Sequence, residues 1–209
     1  MKKILLSLVT LFSLGQIANA QHVEECASGK IHSRLMQNDP IYAQNIQSAN
    51  ALIKQYSKKS SNNKSSGVLE IPVVVHIIHT GQAVGTGANI SMTQINSAIT
   101  RMNDRFRNTH GSSVDTQIEF VLAQRDPDGN ATTGVNRING SSVTNYATEG
   151  ITAGDGKGAV EADVKALSRW SNTDYYNIWV VTEIEDNGGL FGIQGYAYFP
   201  GVSSAVDGT

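Results

Sequence analysis

Residues Leu69–His79 read LEIPVVVHIIH, the longest β-branched run in the chain. Alternate residues of a strand point to opposite faces, so Leu69, Ile71, Val73, Val75 and Ile77 share one face. The other face carries Val74, His76 and Ile78. A strand apolar on both faces belongs inside a sheet covered on both sides. Downstream, SMTQINSAITRMNDRF places Met92, Ile95, Ile99, Met102 and Phe106 on one stripe of an amphipathic helix. Ser91, with Gln94 three residues on, makes a capping box at its start. A second apolar strand follows at Gln117–Ala123. Strand, helix, strand is a βαβ crossover. The expected class is α/β, a mixed twisted sheet with Met92–Phe106 as its backing helix.

The 209 residues suit one domain plus a leader. A formal net charge of −2 lacks the basic surface that nucleic acid requires, so no nucleic-acid partner is expected. Lys2 and Lys3, the apolar run Ile4–Leu14 and the small-residue pattern Ala18-Asn19-Ala20 read as a secretory signal peptide cleaved after Ala20. That run is too short to span a bilayer comfortably, and no other segment is apolar enough, so stable membrane insertion is not expected. The chain reads as secreted. Its single cysteine, Cys26, allows no internal disulfide.

Gln21–Ser33 is polar and reads as extended. Asp39 then caps a helix with Pro40 in its first turn, and Tyr42, Ile46, Ala49, Ile53 and Tyr56 share a stripe. The helix runs into SKKSSNNKSSG, Ser57–Gly67, a polar basic linker whose Lys58, Lys59 and Lys64 mark a proteolytic nick site. Gln21–Tyr56 therefore reads as a small leader module, separable from a body that begins near Val68. Within the body, Asp126-Pro127-Asp128-Gly129-Asn130 is a turn. Asp126, Asp128 and Asn130 at alternate positions could ligate calcium, but Arg137 stands where an EF-hand needs its bidentate Glu, and a plain turn is the stronger reading. Thr133–Ile138 reads as a short strand and Ser141–Gly156 as loop. A short helix carries Val160, Val164 and Leu167, and Tyr176–Thr182 is another buried strand. Gly195–Pro200, GYAYFP, reads as a strand that ends at Pro200 or lies at an edge, because proline cannot donate to a ladder.

Residue chemistry alone assembles no catalytic site. His76 and His79 lie three apart on a strand and point to opposite faces, so they cannot share an ion. No His-Glu-x-x-His motif, nucleophile elbow or P-loop occurs. Glu183 and Glu185 could act as paired carboxylates, but a solvated strand end explains them as well.

In order and spacing, LEIPVVVHIIHTG, ISMTQINSAITRMNDRFRN, IEFVLAQRDPDGNATTGVNRI, YYNIWVV, GYAYFPG and VDGT resemble the secreted bacterial branch of the pappalysin-type metzincin zinc proteases. CASGKIHSRLMQNDPIY resembles the pro-segment found there. The resemblance implies a signal peptide at 1–20, a helical pro-segment and linker at 21–66, and the N-terminal part of a catalytic domain at 67–209. It implies zinc as cofactor and a protein or peptide as substrate. The family holds its zinc on a helix bearing His-Glu-x-x-His-x-x-Gly-x-x-His, which does not occur in these residues and would follow Thr209. No catalytic residue is therefore carried over, and the chain alone is expected neither to bind stoichiometric zinc nor to cleave protein. Two features do carry over. Cys26 would be a latency ligand, its thiolate filling the zinc position that activates water. Gly195, Tyr196, Ala197, Tyr198 and Phe199 would be the rim strand with which substrate pairs antiparallel. If the missing helix is the cover for the second sheet face, several hundred square ångströms of apolar surface stay bare, at roughly 25 cal/mol per square ångström, and the chain aggregates. The alternative function is a secreted, non-catalytic binding or adhesion module that uses the same edge strand or the Gly-rich loops.

Overall fold

The computed structural model describes residues 26–59, 67–111, 114–154, 156–189 and 192–199, so the signal peptide, Ala20, Lys64, Pro200 and VDGT lie outside the described residues. In chain order the elements are α1 (Ser28–Asn38), α2 (Pro40–Lys59), β1 (Leu69–His79), α3 (Met92–Phe106), β2 (Ile118–Leu122), β3 (Val135–Asn139), α4 (Tyr146–Glu149), α5 (Glu161–Ala166) and β4 (Tyr176–Val180). The fold is α/β.

β1 is the axis of a four-stranded sheet. β2 pairs with its first half, from Leu69↔Ile118 to Val73↔Leu122. β3 pairs with its second half, from Val75↔Val135 to His79↔Asn139. The Leu69 N–H, Val73 carbonyl, Val75 N–H and His79 carbonyl all bond residues at the ends of β2 and β3. Alternate residues of a strand present their backbone to the same edge, so β2 and β3 lie end to end along one side of β1. β4 takes the other side, from Val73↔Tyr176 to Ile77↔Val180. Every strand pairing is parallel, the geometry that a helical crossover permits.

α3 covers one face. Val73, Val75, Ile77, Ile95 and Phe120 form its buried cluster, with Ile71, Ile99 and Met102 packed around them. The expected capping box is present: Ser91 Oγ accepts from the Gln94 N–H at 3.3 Å, and Gln94 Oε1 accepts from the Ser91 N–H at 2.9 Å. The Asn103 side chain then pairs with the Phe120 backbone through both donor and acceptor, at 2.9 and 2.8 Å, and fixes α3 against β2.

The second face is not bare, which corrects the expectation of an exposed apolar sheet. Val74, His76 and Ile78 are fully buried. Their side of the sheet packs Ile78 with Tyr146, Ile151, Ala159, Val164, Ile184 and Ile193, and with Ala27 and Ile31 from the leader. Tyr146 is a post within this layer: its hydroxyl donates to the Ile78 carbonyl at 2.5 Å and accepts from the Thr182 N–H at 3.2 Å.

The leader accordingly packs into the core of the body, and Ser28–Ser33 is helical rather than extended. Ala27, Ile31 and Leu35 fall four apart, so one narrow stripe at the start of α1 reaches the core. α2 behaves differently. Asp39 caps it as expected, accepting from the Ile41 and Tyr42 N–H groups at 3.0 Å. Of its expected stripe only Tyr42 is buried, while Ile53 and Tyr56 are 64% and 65% exposed. α2 also continues through Lys58 and Lys59, which were expected in the irregular linker. No helix among the described residues is long and apolar enough to cross a membrane.

Candidate functional site

The segment 193–199 has no regular secondary structure and no ladder to any strand of the sheet, so GYAYFP is not a sheet strand over its described residues. What it pairs with is the leader. The Ala27 N–H donates to the Gly195 carbonyl at 3.0 Å, and the Ala197 N–H donates to Ser28 Oγ at 2.8 Å. Gly195 and Ala197 are alternate residues, so both bonds use one edge of the segment. The start of α1 thus holds the backbone of Gly195 and of Ala197.

Three side chains extend this seat. His32 packs edge to face on Phe199, ring centroids 4.9 Å apart, and its Nδ1 lies 2.6 Å from the Tyr42 hydroxyl. Arg34 donates to the Ala153 carbonyl at 2.6 Å. Gly154 lies so close to Arg34 that an added Cβ would stand 1.9 Å from its Nη1. Cys26 is exposed and donates to Ser28 Oγ at 3.4 Å. Hydrogen bonds from the Ser28 side chain and backbone lower the Cys26 pKa. Ser28 Oγ therefore touches both the thiol and the Ala197 backbone.

On its other flank the segment meets α5 and β4 around a groove of about 560 Å³ lined by Glu161, Lys165, Trp179, Tyr196 and Tyr198. The Tyr198 hydroxyl donates to Glu161 Oε2 at 2.6 Å. Burial, and then the nearby Glu161 carboxylate, raise the Tyr196 phenol well above its ordinary range.

The other candidates are accounted for by structure. His76 is buried, its Nε2 is 2.8 Å from Asn177 Oδ1, and it stacks on Trp179 at 4.9 Å. Burial lowers its pKa. His79 accepts from the Gly81 N–H at the end of β1. Asp126 Oδ1 accepts from the Asp128 and Asn130 N–H groups, so the proposed calcium loop is a plain turn whose lead carboxylate is already engaged. Glu183 accepts from the Gly188 N–H, and Glu185 adopts a positive φ of 59°, so both belong to the turn after β4 rather than to one strand face. Among the described residues no group of three or more His, Cys, Asp or Glu could hold a metal ion. Cys26 alone does not make a zinc site, and no catalytic step is assigned to zinc here.

The sequence reading missed the leader's docking stripe and the buried Lys165. The four-residue spacing of Ala27, Ile31 and Leu35 was the available signal for the first. Lys165 carries none, because its burial depends on Trp179 and Tyr198.

No protein-family model matches the chain, and no curated protein does. Among solved structures, a mutant of Tannerella forsythia promirolysin is 27% identical, with a TM-score of 0.49, over 74% of this chain and 49% of that one. A mirolysin complex with a compound is 32% identical over 55% of this chain and 42% of that one, TM-score 0.42. Tannerella forsythia mature mirolysin in complex with a cleaved peptide is 30% identical over the same shares, 55% and 42%, TM-score 0.40. The chain spans less than half the length of each of these structures.

Proposed function

We propose that this chain is the leader and N-terminal part of the catalytic domain of an exported, pappalysin-type zinc endopeptidase, with its leader seated where peptide binds. In this reading residues 1–20 direct export and are removed after Ala20. Residues 21–66 are the pro-segment and linker, with Lys58, Lys59 and Lys64 available for processing. Residues 67–209 begin the catalytic domain, and Gly195–Phe199 is the edge with which a protein or peptide pairs. Cys26 is a latency ligand for a zinc ion whose other ligands lie outside this chain.

One observation carries the reading: the leader backbone at Ala27 and the Ser28 hydroxyl bond the same edge of Gly195–Ala197 that an extended peptide would use. The thiol of Cys26 sits one residue before that contact, and hydrogen bonds from Ser28 lower its pKa, which favours the thiolate form that binds zinc.

Reading the coding DNA beyond the Thr209 codon tests the identity. An open frame that continues into His-Glu-x-x-His-x-x-Gly-x-x-His is the expected result. A stop codon directly after Thr209 would overturn it in favour of a binding module.

A further inference from the structure

We propose that Lys165 is the positioning residue of the 195–199 segment, holding it in place through a buried cation caged by Trp179, Tyr198 and Glu161. The inference rests on the reading of 195–199 as a peptide-pairing edge and says what keeps that edge in place.

Lys165 is only 7% exposed. An ammonium stripped of water is strongly disfavoured unless it is paired and hydrogen-bonded. Here Glu161 Oε1 lies 2.6 Å from Nζ, one helical turn back on α5. The two side chains are 9% and 16% exposed, so water screens the pair little. Two aromatic rings complete the cage: Nζ stands 4.9 Å from the Trp179 ring centroid and 4.8 Å from that of Tyr198. Glu161 spends its second oxygen on the Tyr198 hydroxyl at 2.6 Å. One carboxylate therefore bridges the cation and the ring that covers it.

Three elements meet at this cation: α5, β4 and the segment itself. The segment has no ladder to the sheet, and the bonds on its Gly195–Ala197 edge come from the leader. A peptide that takes the leader's place removes those bonds. Glu161, Trp179 and Tyr198, which surround the Lys165 ammonium, all lie outside the leader. A methionine would fill much of the same volume, but it offers Tyr198 no charge to sit over and leaves Glu161 without its cation. Ion pairs and cation–π contacts are directional, and a packed methyl group is not, so the cation fixes register where an apolar side chain only fills space.

The test uses the full chain and variants Lys165→Met with Glu161→Gln, Lys165→Arg, and Tyr198→Phe. The readout is native-state chymotryptic cleavage after Tyr196 and Tyr198, with thermal melting as the measure of the whole fold. Cleavage under native conditions tracks local opening, so the double variant should be cut at least about tenfold faster at these sites while cleavage after the buried Phe120 of β2 is unchanged. Lys165→Arg, which keeps the charge, should return the rate to within about threefold of wild type. Unchanged cleavage in the double variant would overturn the proposal. So would a melt that collapses in parallel with cleavage at all sites and is not rescued by arginine, because that marks a general structural role. Tyr198→Phe keeps the ring and removes its bond to Glu161. It should accelerate cleavage on its own, which keeps the proposal testable if the double variant does not fold, and an unchanged rate would count against it. If the cage behaves as expected but no extended peptide binds even when the leader is displaced, the peptide-edge reading fails and the positioning role stands.

Discussion

The Ala27 N–H donates to the Gly195 carbonyl at 3.0 Å, joining the start of α1 backbone to backbone with the 195–199 segment. This contact makes the leader part of the body's architecture. It also makes the leader a competitor for anything that would pair with that edge.

Ile31 is the leader's main anchor in the core, 2% exposed. Ile31→Ala removes three buried carbons and leaves a cavity, at a cost of about 3 kcal/mol. Urea unfolding should show one cooperative transition shifted by that amount. A change below about 1 kcal/mol would indicate that the leader is peripheral.

A cut within the stretch 60–66 should not release the leader. Ala27 and Ile31 are buried in the body, and Arg34 bonds Ala153, all on the leader side of the cut. With a specific protease site engineered there, the two pieces should co-elute on gel filtration without denaturant. Separate elution would show that covalent tethering, not docking, holds the leader.

His76 should make stability depend on pH. Burial holds its folded pKa below the ordinary histidine value, so the unfolded chain binds the proton more readily. The contribution is complete above the unfolded pKa and is lost as pH falls from there toward the folded pKa. The slope approaches about 1.4 kcal/mol per pH unit at most. His76→Gln should flatten the curve below pH 6.5 relative to wild type, as measured by urea midpoints across pH. A slope unchanged by the substitution would remove His76 as the cause.

Cys26 should react as a thiol of lowered pKa, with Ser28 as the reason. The pH–rate profile of iodoacetamide alkylation should move to higher pH in Ser28→Ala. Identical profiles in the two proteins would mean that Ser28 does not tune the thiol.

Much of the fold could be read from local pattern. Both faces of β1, the α3 stripe and the Ser91–Gln94 box depend on residues adjacent in sequence, and each is present. The docking of α1 was harder to see, because Ala27, Ile31 and Leu35 are small or isolated among polar residues. The α2 stripe misled in the opposite direction: its periodicity is real, yet Ile53 and Tyr56 lie exposed among the described residues. Lys165 was invisible as a site residue. A lysine beside Val164 reads as a solvated helix position until Trp179 and Tyr198 close over it. The 195–199 segment was read as a strand and forms none over its described residues, and its pairing with the leader was not legible, since backbone pairing leaves no mark on side-chain pattern.

The most direct test of the central claim is the affinity of the full chain for a fluorescein-labelled extended peptide, measured by anisotropy, with and without the leader's two edge contacts. Ala27→Pro removes the donor to Gly195, and Ser28→Ala removes the acceptor for Ala197. At about 1 kcal/mol for each hydrogen bond, the double variant should bind the peptide at least about tenfold more tightly than wild type. Equal affinity of the two proteins for the peptide would contradict the claim that leader and peptide share one edge.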